Sequence, residues 1–320
     1  MTRTTATNGL PIARPEGMTH EIRVGRRTIQ LSNPDKLLFP DDRITKADLV
    51  EYYRTVGPAM TVGMKDRLLT MERFPDGIDG TRFFQKSSAS YFPDWIRTAT
   101  VSKERGKGQI THVLANEAAT LVYLANQAAI TMHVTLSRIA RINFPDQMIL
   151  DFDPSTRGFA RVRRGALRAR EVLDELGLPS FVKTTGSRGL HVVVPLDGKG
   201  DFDEVRAFAQ AVAGYMVKDD PRNMTMETSK SKRGDRVFVD WLRNGYAATV
   251  VAPYSVRARR GAPVAMPVAW EEIESGRVKP DGFRMSDAVR ALSEKRDPWK
   301  GWRRRAHSLR EPSRRLNRIA

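Results

Sequence analysis

The chain contains no cysteine among its 320 residues. Disulfide bonds, cysteine-ligated zinc, iron–sulfur clusters and thiol nucleophiles are therefore excluded. It also has no apolar run approaching the roughly 20 residues that a membrane-spanning helix needs. The first residues lack the apolar stretch of a secretory signal. These absences predict a soluble, cytoplasmic protein that has no membrane partner.

Negative charge is scarce relative to positive charge. The sequence has 54 Lys and Arg against 37 Asp and Glu, a formal net charge of +17. Such an excess commonly accompanies a polyanionic partner, and nucleic acid is the usual one. A basic surface that only keeps the protein in solution is the alternative that charge alone leaves open.

Two apolar periodicities alternate along the chain and indicate its fold class. Period-two segments predict strands, and longer segments with helical spacing predict helices. Their alternation predicts an α/β or α+β fold around a mixed sheet, not a repeat or an all-helical fold. The predicted strands are 21–31, 68–73, 80–86, 131–139, 148–153, 181–185, 190–195, 236–242 and 247–253, and the predicted helices are 45–60 (N-capped by Thr45, with Asp48 at N3), 117–130, 158–176 and 202–217.

Composition divides the chain into three parts. Residues 1–19 are polar and turn-rich, which is typical of a disordered segment. Residues 20–295 form the predicted folded domain. Residues 296–320 are a basic C-terminal tail that adds nucleic-acid contacts, docks a partner or is merely a disordered, solubilising segment. The folded domain is subdivided into 20–145, 146–265 and a helical closing segment, 266–295.

Asp151 and Asp153 flank Phe152 at the end of an apolar strand. Residues i and i+2 of a strand share a face, so both carboxylates project together while Phe152 points to the core. Two adjacent acids repel each other unless a cation lies between them, which predicts Mg²⁺ or Mn²⁺. The same tripeptide recurs at 201–203, but there it precedes a helix, where capping and the helix dipole explain the acids. We therefore assign 151–153 to chemistry and 201–203 to structure.

Asp240 is a third acid, and it follows the apolar residues 237–239. A carboxylate in a mostly buried strand needs either a metal or an ion-pair partner. Arg233 and Arg236 are the nearby candidates for an ion pair, which remains the alternative to a metal.

A glycine-containing loop, Thr185-Gly186-Ser187-Arg188-Gly189, lies between two predicted strands. Its backbone N–H groups, together with Ser187 and Arg188, can hold phosphate oxygens. His191 follows and can contact a phosphate or a sugar hydroxyl, although a lone strand histidine is more often structural. The loop does not have the Walker spacing G-x-x-x-x-G-K-[ST].

In combination and order, these segments resemble the polymerase domain of bacterial DNA ligase D, within the archaeo-eukaryotic primase superfamily. The resemblance covers roughly residues 20–295 and implies a largely antiparallel mixed central sheet flanked by helices, plus an N-terminal subdomain. It rests on Asn33-Pro34-Asp35-Lys36, Arg82-Phe83-Phe84-Gln85-Lys86, Asp151-Phe152-Asp153-Pro154, Thr185 to His191, Val237-Phe238-Val239-Asp240-Trp241 and the run from Ala252 to Arg259.

The predicted site residues fall into three groups. The resemblance implies that lysines grip the 5′-phosphate across a DNA gap and that aromatic residues stack on the template or nucleotide. Adjacent strand residues face opposite ways, so at most one of the two phenylalanines is expected to be fully buried. The catalytic, metal-binding group is Asp151, Asp153 and Asp240; the nucleotide-binding group is His133, Thr185, Ser187, Arg188, His191, Arg233 and Arg257; the DNA-binding group is Lys36, Lys46, Phe83, Phe84 and Lys86.

The resemblance also implies an activity. It is two-metal nucleotidyl transfer from an NTP or dNTP, with two Mn²⁺ (or Mg²⁺) ions and a preference for ribonucleotides. The process would be gap filling and end extension in non-homologous end joining, at the bacterial nucleoid. The implied partners are DNA with 5′-phosphorylated gaps or double-strand-break ends, a separate ATP-dependent DNA ligase and a Ku-type end-binding protein. A primase-polymerase that starts chains de novo and an inactive DNA-end-binding scaffold are the alternatives.

The sequence departs from the family at three places and offers one misleading motif. Thr185 stands where serine is common, Arg188 where lysine is common, and no lysine occurs at 245–248 after the third acid. Lys279-Pro280-Asp281-Gly282 fits the K-x-D-G pattern of an adenylated ligase lysine, but only 38 residues follow it. We therefore predict a turn there, and a freestanding polymerase module.

Overall fold

The computed structural model describes residues 21–103, 106–156 and 158–319, so the predicted disorder of residues 1–19 lies outside the described residues. The described residues form sixteen strands and seven α-helices. The strands are β1 (Glu21–Val24), β2 (Arg27–Gln30), β3 (Leu37–Phe39), β4 (Ile44–Thr45), β5 (Leu69–Arg73), β6 (Phe83–Gln85), β7 (Thr98–Ser102), β8 (Gln109–Val113), β9 (Ala129–Thr135), β10 (Gln147–Pro154), β11 (Phe181–Thr184), β12 (Leu190–Pro195), β13 (Met224–Thr225), β14 (Val237–Asp240), β15 (Thr249–Val251) and β16 (Pro267–Val268). The helices are α1 (Lys46–Met64), α2 (Ala118–Asn126), α3 (Phe159–Glu175), α4 (Phe202–Asp219), α5 (Trp270–Glu274), α6 (Met285–Ser293) and α7 (Arg310–Ile319).

A six-stranded sheet in the order β13-β14-β10-β12-β11-β16 forms the centre of the fold. All its pairings are antiparallel except β13 with β14, which is parallel. Helices α3 and α4 contact β10, and α3 also contacts β12. The apolar residues Leu150 and Phe152 of β10 are fully buried. The predicted mixed, largely antiparallel sheet flanked by helices is confirmed.

A second, four-stranded sheet has the order β15-β9-β5-β6 and is antiparallel throughout. Helices α1 and α2 pack on each other, and α2 contacts β9. The Tyr53 hydroxyl of α1 donates a 2.6 Å hydrogen bond to the Ile130 carbonyl of β9. Burial raises the pKa of Tyr53 to about 12, so this hydroxyl stays a donor at neutral pH. The two sheets approach each other at His133 of β9 and Asp151 of β10, which line the same cavity.

Two helix starts follow the capping chemistry that their sequences predict. Thr45 caps α1: its side chain accepts from the Asp48 N–H, and the Asp48 carboxylate accepts from the Thr45 N–H. Asp201 caps α4 in the same reciprocal way with Glu204. The 201–203 tripeptide is therefore a helix N-terminus, as predicted.

Several predicted elements differ in extent from the structure, among them strand 131–139, which ends at Thr135, and in two others a tight turn is the reason. Residues 21–31 form a hairpin instead of one strand, because Gly25 adopts φ +59° and turns the chain. Helix 117–130 ends at Asn126, since Ala128 takes a left-handed φ of +56° and β9 begins at Ala129. In both cases a tight turn interrupts an apolar pattern that continues through it. A further hairpin, β7 with β8, was not predicted at all.

The basic C-terminal segment is folded onto the domain. Trp299 and Trp302 are buried, and the Trp299 indole donates a 3.0 Å hydrogen bond to the Val182 carbonyl of β11. Leu316 of α7 is also buried. For residues 296–319, the disordered alternative therefore does not hold. Among the described residues, we find no helix with the length and apolarity to cross a membrane.

Candidate active site

A row of ionisable side chains crosses the six-stranded sheet. Asp151 lies directly opposite His191 on one neighbouring strand and opposite Asp240 on the other. Lys183 lies opposite His191 one strand further along. Residues opposed in antiparallel strands share a face, so Lys183, His191, Asp151 and Asp240 form one row, and Asp153 joins it from two residues along β10. The predicted convergence of three carboxylates is thus present in the backbone register.

Arg243 connects two of these acids. Its Nε lies 3.2 Å from Asp240 Oδ2 and 3.5 Å from Asp151 Oδ2. It sits in a short 3-10 turn after β14, where the Leu242 N–H donates to Asp240 Oδ1 at 2.9 Å. The Arg243 side chain is 44% exposed, so it reaches the acids from the solvent side. Arg233 and Arg236, the ion-pair partners considered as the alternative to a metal, donate to backbone carbonyls and not to Asp240.

Burial has the largest influence on the pKa values of Asp151, Asp153 and Asp240. It raises the pKa of Asp151, against the opposing influence of Arg243. Burial and the charge of Asp151 together raise the pKa values of Asp153 and Asp240. Burial therefore disfavours the ionised form of all three carboxylates, and a cation bound beside them would favour that form.

The two basic members of the row, His191 and Lys183, are both buried. Burial, followed by the charge of Lys183, holds the pKa of His191 well below its usual value. Burial lowers the pKa of Lys183 to about 7 although nearby Asp151 raises it. The Lys183 side chain is 1% exposed, and its Nζ has no hydrogen-bond partner among residues 21–103, 106–156 and 158–319. An ammonium at this depth is costly, and the nearby Asp151 carboxylate is what favours the charged form of Lys183.

The donor set fits a hard divalent cation. Asp151 is 5% exposed, and its Oδ1 has no hydrogen-bond partner in the described part of the chain. Oxygen donors of this kind are the ligands that Mg²⁺ and Mn²⁺ prefer. As arranged here, however, no group of three or more His, Asp and Glu side chains among the described residues is close enough together to hold a metal ion. Arg243 lies where a cation would contact both Asp151 and Asp240.

The glycine loop is held close to the acids. Gly186 adopts φ +62°, and the Gly189 N–H donates to Thr185 Oγ1 at 3.1 Å. A Cβ on Gly189 would lie 2.3 Å from the Phe152 carbonyl oxygen, so only glycine permits this approach to β10. Arg257 Nη1 donates to the Thr185 carbonyl at 3.4 Å, which brings a guanidinium to the same loop.

A cavity of about 170 Å³ joins Asp151 and Asp153, the glycine loop and the second sheet, and Asp240 is not part of its lining. Five of the predicted nucleotide-binding residues line it: His133, Thr185, Ser187, His191 and Arg257. Arg188 is exposed and close enough to Asp153 to influence its charge. Arg233 is held elsewhere, with its guanidinium 3.8 Å from the centre of the Phe238 ring. The structure thus groups most of the predicted set and leaves Arg233 outside that lining.

Glu72 organises the side of the cavity that the second sheet contributes. Its carboxylate forms an ion pair with Arg82 at 2.7 Å. The same carboxylate lies 3.9 Å from His133 Nε2, which is too far for a hydrogen bond. Burial alone would raise the pKa of Glu72, but His133 and Arg82 together lower it. Arg82 stacks over Phe84, whose ring meets the His133 ring edge-on at 6.2 Å. Glu72 of β5, Phe84 of β6, His133 of β9 and Arg82, which directly precedes β6, therefore form one connected group.

The aromatic pair and the neighbouring lysine face solvent. Phe83 is 38% exposed and Phe84 is 54% exposed, so neither is a core residue and the expected limit on their burial is confirmed. Lys86 is also exposed. Exposed aromatic faces beside a basic residue suit base stacking.

The two predicted phosphate-binding lysines are neighbours. The Lys46 N–H donates to the Lys36 carbonyl at 2.8 Å. Lys46 Nζ donates to the Ser32 carbonyl at 2.6 Å, and Lys36 Nζ pairs with Asp76 at 3.0 Å. Burial, and then the charge of Lys36, lowers the pKa of Lys46. The structure places both lysines at the 32–36 loop, with Lys46 buried and Lys36 partly exposed.

Sequence reasoning missed Glu72, Lys183 and Arg243. Each carried a signal: Glu72 and Lys183 are charged residues inside otherwise apolar strands, and strand periodicity puts Lys183 on the face of Thr185. Arg243 follows Asp240 by three residues, but only the turn after β14 directs it back over the acids.

Comparison with known proteins identifies similar chains. Residues 45–299 match the family described as the LigD primase-polymerase domain. The chain is 33% identical over 254 residues to the multifunctional non-homologous end joining protein LigD of Pseudomonas aeruginosa, covering 79% of this chain and 30% of that protein. It is 29% identical over 249 residues to the bifunctional non-homologous end joining protein LigD of Bacillus subtilis, covering 77% of this chain and 40% of that protein.

A solved structure shows the same fold. The polymerase domain from Mycobacterium tuberculosis ligase D, in complex with DNA, superposes with a TM-score of 0.82 at 30% sequence identity. The match covers 87% of this chain and 99% of that one. By contrast, the chain spans only 30 to 40% of the length of the two LigD relatives.

Proposed function

Because the chain belongs to the LigD primase-polymerase domain family, we propose that it is a template-directed nucleotidyl transferase that extends primer 3′-ends during double-strand-break repair. The substrates would be NTPs or dNTPs, with ribonucleotides preferred, and DNA carrying 5′-phosphorylated gaps or broken ends. The observation that carries the proposal is the row formed by Asp151, Asp240 and His191 across three adjacent strands.

The carboxylates Asp151, Asp153 and Asp240 would hold two divalent ions, Mn²⁺ or Mg²⁺. The unpaired Asp151 oxygen within the described residues supports this role, as do the pKa values of Asp153 and Asp240, which burial and then the charge of Asp151 raise. When bound, the ions would make the primer hydroxyl a better nucleophile and neutralise the departing pyrophosphate. Arg243 already neutralises two of the acids and would have to move aside.

The chain's own side chains would bind and orient the nucleotide. Arg257 and the loop residues Thr185 and Ser187 line the cavity and offer donors to triphosphate oxygens. Exposed Arg188 would add a cation at the mouth. His191 is held neutral by burial, so it would contact the nucleotide as a hydrogen-bonding group, not as a charge.

Extension of gapped DNA tests the proposal most directly. Purified protein is incubated with Mn²⁺ and a gapped duplex, with or without a downstream 5′-phosphate, and with either rNTPs or dNTPs. Template-dependent extension of the primer is expected, faster with rNTPs and with the phosphate. A protein that binds the duplex but never extends it would be an end-binding scaffold. Synthesis on a template without any primer would identify the primase-polymerase alternative.

We propose DNA, a DNA ligase and an end-binding protein as partners of the chain. The basic surface, with its formal net charge of +17, supports DNA binding that weakens as salt rises. A separate ATP-dependent DNA ligase would seal the product, and a Ku-type protein would hold the ends. Co-purification or pull-down with candidate partners, in the presence of nuclease, checks whether either contact is direct.

Replacing Lys36 with alanine is expected to abolish the stimulation by the 5′-phosphate. A charge-assisted phosphate contact would be lost, so the advantage of phosphorylated gaps should fall by about tenfold or more. The matched control is Lys279→Ala, which removes an exposed lysine from the 276–282 turn. Equal phosphate stimulation in Lys36→Ala and wild type would remove the proposed role of this lysine.

Glu72→Gln is expected to lower kcat/KM for the nucleotide by about tenfold, through its neighbours. The amide keeps the shape of the side chain but, without the negative charge, no longer holds the Arg82 guanidinium beside Phe84. It also no longer raises the pKa of His133, which burial lowers. Steady-state kinetics at fixed DNA measures the change. Glu271→Gln, at an exposed position, is the control. A wild-type kcat/KM in Glu72→Gln would show that the group is only structural.

A further inference from the structure

Residues 300–319 follow the part of the chain that matches the family, which ends at residue 299. They are packed on the domain all the same. The His307 N–H donates to the Pro195 carbonyl at 3.2 Å, and the Asp197 N–H donates to the His307 carbonyl at 3.1 Å. Trp302 and Leu316 are buried. The segment therefore presents its side chains from a fixed position on the domain.

This segment carries a strong positive charge. Residues 300–319 contain eight Lys and Arg against a single acid, Glu311. Seven of the eight cations are exposed, and we call them together the C-terminal basic surface: Lys300, Arg304, Arg305, Arg310, Arg314, Arg315 and Arg318.

Helix α7 sets three of these arginines in one row. Arg310, Arg314 and Arg318 recur every four residues, so they share one face of the helix. Pro312 and Leu316, on the other side, are buried. A basic helix that binds a membrane inserts its apolar face into the lipid. Because the apolar face of α7 is already packed against the domain, a lipid surface does not suit it.

The charges of this row are poorly compensated within the protein. Glu311 lies 3.8 Å from Arg314 and 3.5 Å from Arg315. Arg310 and Arg318 form no ion pair with any residue that the structure describes. Cations four residues apart in a helix repel each other, and the helix dipole further disfavours Arg310 in the first turn. A bound polyanion would relieve this repulsion.

Arg303, which precedes α7, carries buried donors without acceptors. Its Nε and Nη2 atoms are buried and have no hydrogen-bond partner among the described residues. Its guanidinium lies 5.5 Å from the centre of the Trp302 ring, within the range of a cation–π contact. Buried donors without acceptors reduce stability. The segment thus keeps a further positive charge that no acid of the described chain neutralises.

The C-terminal basic surface lies at the opposite end of the central sheet from the acids. His191, near the start of β12, is opposite Asp151, whereas Pro195, at the end of β12, pairs with His307. Four residues of strand separate His191 from Pro195, a distance of about 13 Å. An anion bound at this surface would therefore lie outside the catalytic cavity.

We propose that the C-terminal basic surface binds the phosphate backbone of double-stranded DNA, without sequence preference and outside the catalytic cavity. Guanidinium groups bind phosphate oxygens through pairs of parallel hydrogen bonds. The α7 row offers a cation about every 6 Å, and a duplex carries one negative charge per roughly 1.7 Å of its axis. Several arginines can therefore meet phosphates in any register.

An acidic protein segment suits this surface less well. Protein interfaces are centred on apolar or aromatic anchors that enter pockets. Within residues 300–319, Ile319 is the one large hydrophobic residue that is exposed. The binding proposed here needs neither a metal nor a nucleotide, so it goes beyond the proposed polymerase function and does not depend on it.

Two triple variants that lose the same charge test the surface. Thermal melting of each confirms that it is folded. The control positions are exposed and lie in the 277–295 region, away from α7 in the chain. The row variant is Arg310→Gln with Arg314→Gln and Arg318→Gln, and the control is Arg277→Gln with Lys279→Gln and Lys295→Gln.

Fluorescence anisotropy with a blunt duplex, without metal or nucleotide, measures the affinity over a series of salt concentrations. We expect the row variant to raise Kd by about tenfold or more and to reduce the slope of log Kd against log salt by about 2 to 3. The control should stay within about twofold of wild type. An unchanged affinity and slope in the folded row variant would overturn the proposal, and so would an equal loss in the control.

Poly-glutamate is the probe for an acidic protein segment. If the row variant lost poly-glutamate binding but bound the duplex like wild type, the surface would be assigned to an acidic protein and the proposal overturned. We expect the duplex to be the probe whose binding falls.

A single introduced thiol locates the contact, because the chain has no cysteine of its own. Asn317→Cys places a thiol on the exposed side of α7 beside Arg314 and Arg318, and Ser286→Cys places one on exposed α6 as a control. With a photo-activated cross-linker, position 317 should cross-link to the duplex and position 286 should not. No cross-link from 317, or equal cross-linking from both, would refute the surface.

The outcomes for this surface and for the proposed function are separate. If wild type binds the duplex through the α7 row but does not extend primers, the polymerase proposal fails and the surface stands. If wild type extends primers while the row variant binds DNA normally, only the surface is refuted.

Discussion

Asp151→Asn is expected to reduce primer extension by about a thousandfold or more. Asp151 is the central acid of the row, opposite both His191 and Asp240, and its unpaired oxygen, as judged over the described residues, is the best candidate metal ligand. The amide keeps the size of the side chain but lacks the charge that a divalent ion requires. Single-turnover extension of gapped DNA with Mn²⁺ measures the loss.

Unlike activity, the stability of the fold should not be reduced by Asp151→Asn. Burial raises the pKa of Asp151, so its ionisation costs stability: the cost is full above the raised pKa, shrinks as the pH falls below it, and is gone below the ordinary carboxyl pKa of the unfolded chain. At neutral pH, Asp151→Asn is therefore expected to unfold at the same or a higher urea concentration than wild type. Asp203→Asn, in the duplicate tripeptide that starts α4, is the control and should retain full extension. Wild-type extension by Asp151→Asn would refute the catalytic assignment.

Gly189→Ala is expected to lower extension by about a hundredfold and to destabilise the fold by about 1–3 kcal/mol. The new methyl group would lie 2.3 Å from the Phe152 carbonyl and 3.3 Å from Asp153 Oδ1. Relief requires the loop to withdraw from β10, which separates the phosphate-binding groups from the acids. Urea denaturation and the KM for nucleotide measure the two effects.

A glycine-to-alanine substitution in α4 should instead stabilise the protein. Gly214 lies inside α4, and a Cβ there would meet only the Met226 sulfur at 3.8 Å. Gly214→Ala is therefore expected to stabilise the protein by about 0.5–1 kcal/mol with unchanged extension. If Gly189→Ala behaved like Gly214→Ala, close approach of the loop to β10 would not be required for activity.

Local physical chemistry accounts for what was predicted correctly. The alternation of apolar residues located the strands that carry Asp151 and His191, and the caps Thr45 and Asp201 located two helix starts. The failures share a cause as well. At Gly25 and Ala128 a single residue with positive φ breaks the element, and neither residue disturbs the hydrophobic pattern that sequence reasoning follows.

The sequence predicted which residues belong to the candidate site. Contacts between distant parts of the chain decided how they are arranged and which further residues join them. The order of motifs identified the family, which the matching family model and the solved polymerase domain confirm. The alternative ion pair of Asp240 with Arg233 or Arg236 does not form and Arg243 lies there instead, because nearness in sequence does not specify the direction of a side chain. Glu72 was missed since its partner His133 lies about sixty residues away, on another strand.

The sequence by itself determined that acids end two apolar strands, that a glycine loop precedes a histidine, and that basic residues exceed acidic ones by 17. Period-two patterning fixes which face of a strand a side chain occupies, and that much is local. Only the tertiary structure decided that Asp151 lies between His191 and Asp240, with Lys183 beyond and Arg243 above. Strand order and register depend on packing between distant segments, and the same apolar pattern is compatible with several neighbours.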